Sequence, residues 1–194
     1  MINVEEEFGR VIVEVGGAHA QDLCGKSPNF SNADFIFDEQ KVIAEMKCLV
    51  KDQVADEATI EQLTKVYQEA LERGETKTII YGQSPVRLGD FEEDLMLRMA
   101  EVLRRPMQRI ITKANKQIKQ TKQHMDRGHH LGLLILVNDS YVSLDPQSLL
   151  WMVDETLGVR AYSSINTVLF FSPNLPATDG KTERKIIPWI VCTR

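Results

Sequence analysis

Two carboxylates and an ammonium stand where a strand pair should be packing apolar side chains. In "SNADFIFDEQKVIAEMKCLVKD", residues 31–52, Asp34, Glu45 and Lys47 interrupt two apolar runs joined by a short polar turn. If Glu39-Gln40 is a two-residue loop, or Asp38–Lys41 a four-residue one, Phe37 faces Val42 and the numbers of paired residues sum to 79. Asp34 then opposes Glu45, and Lys47 follows on the same face, because side chains alternate along a strand. Directly opposed residues have Cβ atoms about 4.5–5.5 Å apart, and like charges there repel. Such a pair takes up a proton or shares a cation. Oxygen ligands at this spacing suit a hard divalent ion such as Mg²⁺, which uses carboxylates together with water and substrate phosphate. An ammonium about 6–7 Å further along the face is placed to orient a water or to stabilise charge on a phosphate.

The elements that must position this trio can be read from periodicity. The opposite hairpin face, Phe35, Phe37, Val42, Ala44, Met46, Cys48 and Val50, is wholly apolar and is expected in the core. "RVIVEV", residues 10–15, reads as a first strand stopped by Gly16-Gly17, and residues 18–32 carry no clear pattern. A helix is predicted over about 56–73, with Ile60, Leu63, Val66, Tyr67, Ala70 and Leu71 on one side and Gly74 as its stop. "KTIIYG", residues 77–82, reads as a strand. Asp90 followed by Glu93 resembles a capping box that opens a helix running to about Arg104. Pro106 suits the first turn of a new helix, whose apolar stripe is Met107, Ile110, Ile111, Ala114, Ile118 and Met125.

"LGLLILV", residues 131–137, is a continuous apolar run expected to be a strand buried on both faces. A helix over about 146–157 follows, with Asp145 as its cap. "INTVLFFS" and "KIIPWIVC" are two further strands, and Pro188 makes the last an edge or bulged strand. The expected architecture is α/β, a mixed central sheet flanked by helices. It forms one domain over 1–194, with a helical insertion around 53–105.

Composition bounds the function. With 43% apolar and 26% charged residues, the 194-residue chain can bury a sizeable core. No apolar run approaches the roughly 20 residues that span a bilayer. The acidic start "MINVEEEF" does not read as a secretory signal. Cys24, Cys48 and Cys192 are odd in number and far apart, so a cytoplasmic location without disulfides is expected, and no membrane partner. The net charge of −5 is unevenly spread. Residues 101–130 hold eight Lys or Arg against two acids, a net +6 that leaves −11 elsewhere. One basic segment on an acidic body matches a local phosphate contact better than a general nucleic-acid coat.

"NADFIF…VIAEMK" resembles the signature of the PD-(D/E)XK nuclease superfamily, the restriction endonuclease-like enzymes, which also include junction resolvases and repair nucleases. Asp34, Glu45 and Lys47 occupy the signature positions, and Ala33 stands where the pattern often has Pro. The resemblance implies a restriction endonuclease-like fold and Mg²⁺- or Mn²⁺-dependent hydrolysis of phosphodiester bonds, most naturally in DNA. It implies a metal held by Asp34, Glu45 and the main-chain carbonyl of Met46, with Lys47 catalytic. It implies a Gln or Lys near the site on a later helix, where Gln117 and Lys113 are the candidates. An acidic residue from a first helix is also common, with Glu7 and Glu14 nearby. Arg109, Lys113, Lys116 and Lys119 on the basic helix would contact the nucleic-acid backbone. Duplex cleavage by analogy calls for a homodimer. The resemblance covers residues 32–50, and more loosely 100–137.

Four Glu-x-Lys triplets occur, at Glu39, Glu45, Glu75 and Glu183, and only the second lies inside a long apolar strand opposite an Asp. The bland alternative is a solvated strand face with Lys47 in an ordinary salt bridge. At the level of the whole protein, the alternative is a catalytically inactive nuclease-fold binding or scaffold protein; an RNA-directed enzyme is a third reading. His124, His129 and His130 lack zinc-site spacing, and Ser163-Ser164 lacks a nucleophile elbow. Walker, dinucleotide, helix-turn-helix and zinc-finger patterns are absent.

Overall fold

The structure, a computed structural model, describes residues 3–25, 28–80, 87–143, 146–158, 160–173, 177–178, 185–186 and 189–193. The chain forms two compact units. Unit 1 comprises residues 1–51, 110–141 and 157–194, and unit 2 comprises 52–109 and 142–156.

Unit 1 is built on a six-stranded mixed sheet, so the α/β class is observed. Its strands are β1 (Ala18–His19), β2 (Phe35–Phe37), β3 (Val42–Leu49), β4 (Leu131–Asn138), β5 (Thr167–Phe171) and, at the far edge, β8 (Trp189–Thr193). β6 (Ala177–Thr178) and β7 (Lys185–Ile186) form a separate two-stranded ribbon. β1–β2, β2–β3 and β5–β8 are antiparallel, and β3–β4 and β4–β5 are parallel. The β2–β3 register is the expected one: Phe37 pairs with Val42, Ile36 with Ile43 and Phe35 with Ala44. The turn is Asp38–Lys41, closed by a Lys41 N–H to Asp38 carbonyl bond of 3.3 Å, with Lys41 at φ 55°.

The "RVIVEV" strand is not formed. Residues 10–14 belong to a helix, α1 (Val4–Glu14), which Asn3 caps by accepting the Glu6 N–H. Glu5, Glu6 and Glu7 in the first turn favour a helix N-terminus. Alternation suggested a strand, but burial follows the helical period. Val4, Phe8 and Ile12 pack into the core, whereas Val11, Val13 and Val15 are exposed. Gly16 follows at φ 87°, so the predicted stop ends a helix. Residues 18–24, unassigned from sequence, form β1 and the short α2 (Ala20–Cys24).

α1 lies against one face of the sheet, where Phe8 stacks on Phe171 at 5.6 Å and meets Phe35 at 6.4 Å. That face contains Phe35, Phe37, Ala44, Met46 and Cys48, as expected, joined by Leu133, Ile135 and Val137. Val50 lies beyond β3 and is exposed. The opposite face is also buried, through Ile36, Ile43, Leu134, Leu136 and Phe170. A helix containing Ile111, Ala114 and Ile118 covers it at Gly132, where an added Cβ would sit 3.0 Å from Ile118 and 1.8 Å from the Ser164 carbonyl oxygen. Residues 132–137 are covered on both faces, as expected, whereas Leu131 at the start of the run is exposed.

This helix, α4 (Glu93–His124), is continuous through Pro106, so the expected break is not formed. Proline removes one N–H and disfavours a helix interior. Here the buried stripe of Met99, Leu103, Met107, Ile111, Ala114 and Ile118 runs unbroken past it, and packing outweighs the local preference. Asp90 does not cap α4; it accepts the Arg87 N–H at 2.9 Å within a 3₁₀ turn, Leu88–Asp90.

Unit 2 holds α3 (Glu57–Glu72), α4 up to residue 109 and α5 (Pro146–Leu157) up to residue 156. Ala70, Leu95 and Met99 form its core with Leu63, Val66, Tyr67, Leu88 and Phe91. Ile60 and Leu71, expected on the buried side of α3, are exposed. Residues 77–80 are not a strand: the Tyr67 hydroxyl donates to the Thr78 carbonyl at 2.8 Å and accepts the Ile80 N–H at 3.0 Å, in place of a ladder partner. Tyr81, Gly82, Asp145 and Pro188 lie outside the described residues. Among the described residues no helix is long and apolar enough to cross a membrane, and the three cysteines are free.

Candidate functional site

β2 ends and β3 continues past it, and the site forms at that step. Asp34 precedes β2, and its Oδ2 accepts the Met46 main-chain N–H at 2.8 Å, taking the place of a ladder partner. Its own carbonyl accepts the Ala20 N–H at 2.9 Å. In an antiparallel ladder the N–H and C=O of one residue point to the same side. The Met46 carbonyl therefore faces the Asp34 side, where the resemblance asks for a main-chain ligand.

Glu45 is 0% exposed, on the face shared with Ile43 and Leu134. Its Oε1 accepts from Lys47 Nζ in an ion pair, and Lys47 is only 20% exposed. Glu45 Oε2 is buried without a hydrogen-bond partner. Burial pushes its carboxyl up to about 8, the nearby Asp34 charge pushes the same way, and Lys47 opposes both. Burial and the Asp34 charge thus favour the protonated carboxyl, while the Lys47 ammonium favours the carboxylate with which it pairs.

A polar cavity of about 310 Å³ opens here, with Glu5, His19, Asn32, Asp34, Met46 and Lys47 among its lining residues. Its wall therefore comes from α1, β1, the segment before β2, and β3. Glu5 was missed by sequence reasoning. Of the acids considered instead, Glu7 pairs with Arg10 at 2.6 Å, and Glu14 lines a neighbouring hollow with Glu5. Asn3 followed by acids and then Phe8 and Ile12 at helical spacing was the signal that could have found α1, and Glu5 with it.

Gln117 is brought to the segment beside Asp34: its Nε2 donates to the Asn32 carbonyl at 3.0 Å, while its Oε1 is buried and unpartnered. Arg109, Lys113, Lys116 and Lys119 all lie on α4 and are exposed. Lys122 differs from them: it donates to the Ser164 carbonyl at 3.2 Å, and burial lowers its pKa. His124 stacks on Phe30 at 4.1 Å, and His130 faces Asp38 at 3.3 Å.

Two carboxylates with one orphaned buried oxygen, and a main-chain carbonyl turned to the same side, make a donor set that fits a hard divalent cation. Among the described residues no group of three or more His, Cys, Asp or Glu is arranged to hold a metal. A second cavity, of about 620 Å³, lies in unit 2 among Leu63, Tyr67, Leu88, Phe91, Met99 and Leu103. Its described lining contains no carboxylate or imidazole, and we assign it no chemistry. Comparison of the chain with protein-family models, with curated proteins and with solved structures returns no match.

Proposed function

We propose that this chain is a metal-dependent nuclease of the PD-(D/E)XK type, with a restriction endonuclease-like fold, hydrolysing phosphodiester bonds in DNA. The observation that carries the reading is Glu45: a fully buried carboxyl, one oxygen paired with Lys47 and the other unpartnered, beside the Asp34 charge. A strand facing solvent would leave no carboxyl buried and half satisfied. Asp34, Glu45 and the Met46 carbonyl would hold Mg²⁺ or Mn²⁺. When bound, the ion lowers the pKa of a water and neutralises phosphate charge.

The chain's own groups do the rest. The Met46 N–H fixes Asp34, Glu45 would lose its proton to solvent on holding the ion, and Lys47 would orient the attacking water or meet charge on the phosphate. Glu5 supplies further negative charge at the cavity. Gln117 holds the strand entry rather than the reacting atoms, and Lys113, Lys116 and Lys119 present cations to a phosphate backbone.

The test is cleavage of plasmid, linear duplex, single-stranded and branched DNA, and RNA, with Mg²⁺ or Mn²⁺. Wild type runs beside Asp34→Ala and Lys47→Ala, with the folding of each checked. Cleavage that needs metal and disappears in both variants supports the proposal. Cleavage that survives both overturns the site. The −11 charge outside the basic segment favours one second reading, an inactive nuclease-fold binding protein. Absence of cleavage on every substrate selects it, most clearly when the protein also binds no metal.

A further inference from the structure

We infer that Thr121, with Gln120 and Gln117 beside it on one face of α4, is a positioning residue for Asp34; this rests on the metal-site reading above. Residues 117, 120 and 121 are spaced i, i+3 and i+4, so their side chains emerge together. They engage three successive residues just before Asp34. Ser31 N–H donates to Gln120 Oε1 at 3.2 Å, the Asn32 carbonyl accepts Gln117 Nε2 at 3.0 Å, and Ala33 N–H donates to Thr121 Oγ1 at 2.7 Å.

Thr121 is the centre of this set. It and Ala33 are both 0% exposed, so their bond is shielded from water. The hydroxyl proton goes to the Gln117 carbonyl at 3.0 Å, which leaves Oγ1 as an acceptor aimed at Ala33. Removing the hydroxyl would strand a buried main-chain N–H one residue before the carboxylate.

The need for such a clamp is local. β2 is only Phe35–Phe37, and Asp34 sits outside it. On its C-terminal side Asp34 is followed by sheet; on its N-terminal side, residues 31–33 are neither helix nor strand. The three α4 side chains supply what a ladder would. The Ala20 bond to the Asp34 carbonyl and the Met46 bond to its Oδ2 then fix the carboxylate itself. Groups that orient a metal ligand typically change metal affinity by about 10–100-fold when removed.

The experiment is Mn²⁺ binding to the full chain, by calorimetry or by the loss of free-ion paramagnetic resonance signal. It uses wild type, Thr121→Val, Thr121→Ser, Gln120→Met and Asp34→Asn, with folding checked by circular dichroism. Thr121→Val, which keeps the shape and loses the hydroxyl, is expected to weaken Mn²⁺ about tenfold. It should also lower kcat while leaving KM for duplex DNA unchanged. Thr121→Ser should bind within about twofold of wild type, a rescue that packing alone would not give. If Thr121→Val does not fold, the half-buried Gln120→Met carries the test, with weakening of several-fold expected. Wild-type Mn²⁺ affinity in the folded Thr121→Val, or in Gln120→Met where that variant must be used, overturns the inference; so does a Thr121→Ser as weak as Thr121→Val. Asp34→Asn separates the two levels. If it too binds Mn²⁺ as wild type does, the metal-site reading itself has failed.

Discussion

Asp34 and Met46 are joined across the end of the hairpin, carboxylate Oδ2 to main-chain N–H at 2.8 Å. A side chain thereby continues the β2–β3 ladder where β2 has stopped, and it brings a negative charge to Glu45. Asp34→Asn can keep an oxygen acceptor for Met46 while losing that charge. The Glu45 carboxyl, held up to about 8 partly by Asp34, should then titrate at lower pH in the metal-free variant. Carbon-detected NMR of the Glu45 carboxyl checks this, and an unchanged or raised value would show that the two groups do not interact.

The same raised value sets a pH dependence. Glu45 takes up a proton on folding between its ordinary 4.5 and about 8, so the folded state binds more protons than the unfolded one there. Stability of the metal-free protein therefore falls as pH rises through that window. Glu45→Gln should flatten the slope in urea melts collected from pH 5 to 8. If Glu45 is a metal ligand as proposed, binding must displace this proton, and apparent Mn²⁺ affinity should climb by up to about tenfold per pH unit below pH 8 and level off above it. Calorimetry in buffers of different ionisation enthalpy reads the released proton directly.

Asp38, at the hairpin turn, behaves in the opposite sense. Arg127 grips it with bonds of 2.6 and 2.8 Å, and this grip, aided by His130, lowers its carboxyl to about 2. A depressed pKa stabilises the fold above the ordinary value of 3.8, and that contribution is lost as pH falls toward 2. Asp38→Asn should make the protein less stable at pH 7 and flatten its acid unfolding between pH 4 and 2. A wild-type acid profile would mean that the turn is held by other contacts.

Gly132 carries the parallel strand β4 past the Ser164 carbonyl. A Cβ there would lie 1.8 Å from that oxygen, a backbone atom, so the main chain must move. Gly132→Ala should cost about 2 kcal/mol or more, as overpacking does. Thermal melting should drop by about 4–8 °C for a chain of this size. A change within 1 °C would place the two segments further apart than they appear.

Lys113, Lys116 and Lys119 are exposed on α4, whereas Lys122 is tied to the Ser164 carbonyl. If the first three neutralise phosphates, the triple change to Gln should lower the slope of log affinity against log salt by up to about three on duplex DNA. Lys122→Gln should leave that slope alone. Fluorescence anisotropy at several salt concentrations makes the comparison, and equal slopes for wild type and the triple variant would remove α4 as the backbone contact.

Much of the site was already determined by the sequence, because the relationships within it are local. A turn of four residues leaves little freedom of register, so Phe35–Ala44 and Ile36–Ile43 pairing, and the shared face of Glu45 and Lys47, follow from alternation. The run at 132–137 was equally legible, since a stretch apolar at every position has no solvent face to present; only Leu131, at its edge, is exposed. Tertiary structure decided what depends on distant partners. Residues 10–14 alternate like a strand, but Phe8 and Ile12 reach the sheet core only as a helix, and that burial outweighs the β preference of the valines. Pro106 reads as a boundary, yet the stripe from Met99 to Ile118 keeps α4 whole. The bond from Ala33 to Thr121 joins residues 88 positions apart, and Glu5 reaches the cavity only because α1 is laid on the sheet. Periodicity is set by neighbours a few residues away; burial, and with it the pKa of Glu45 and the walls of the cavity, is set by elements the chain brings together only on folding.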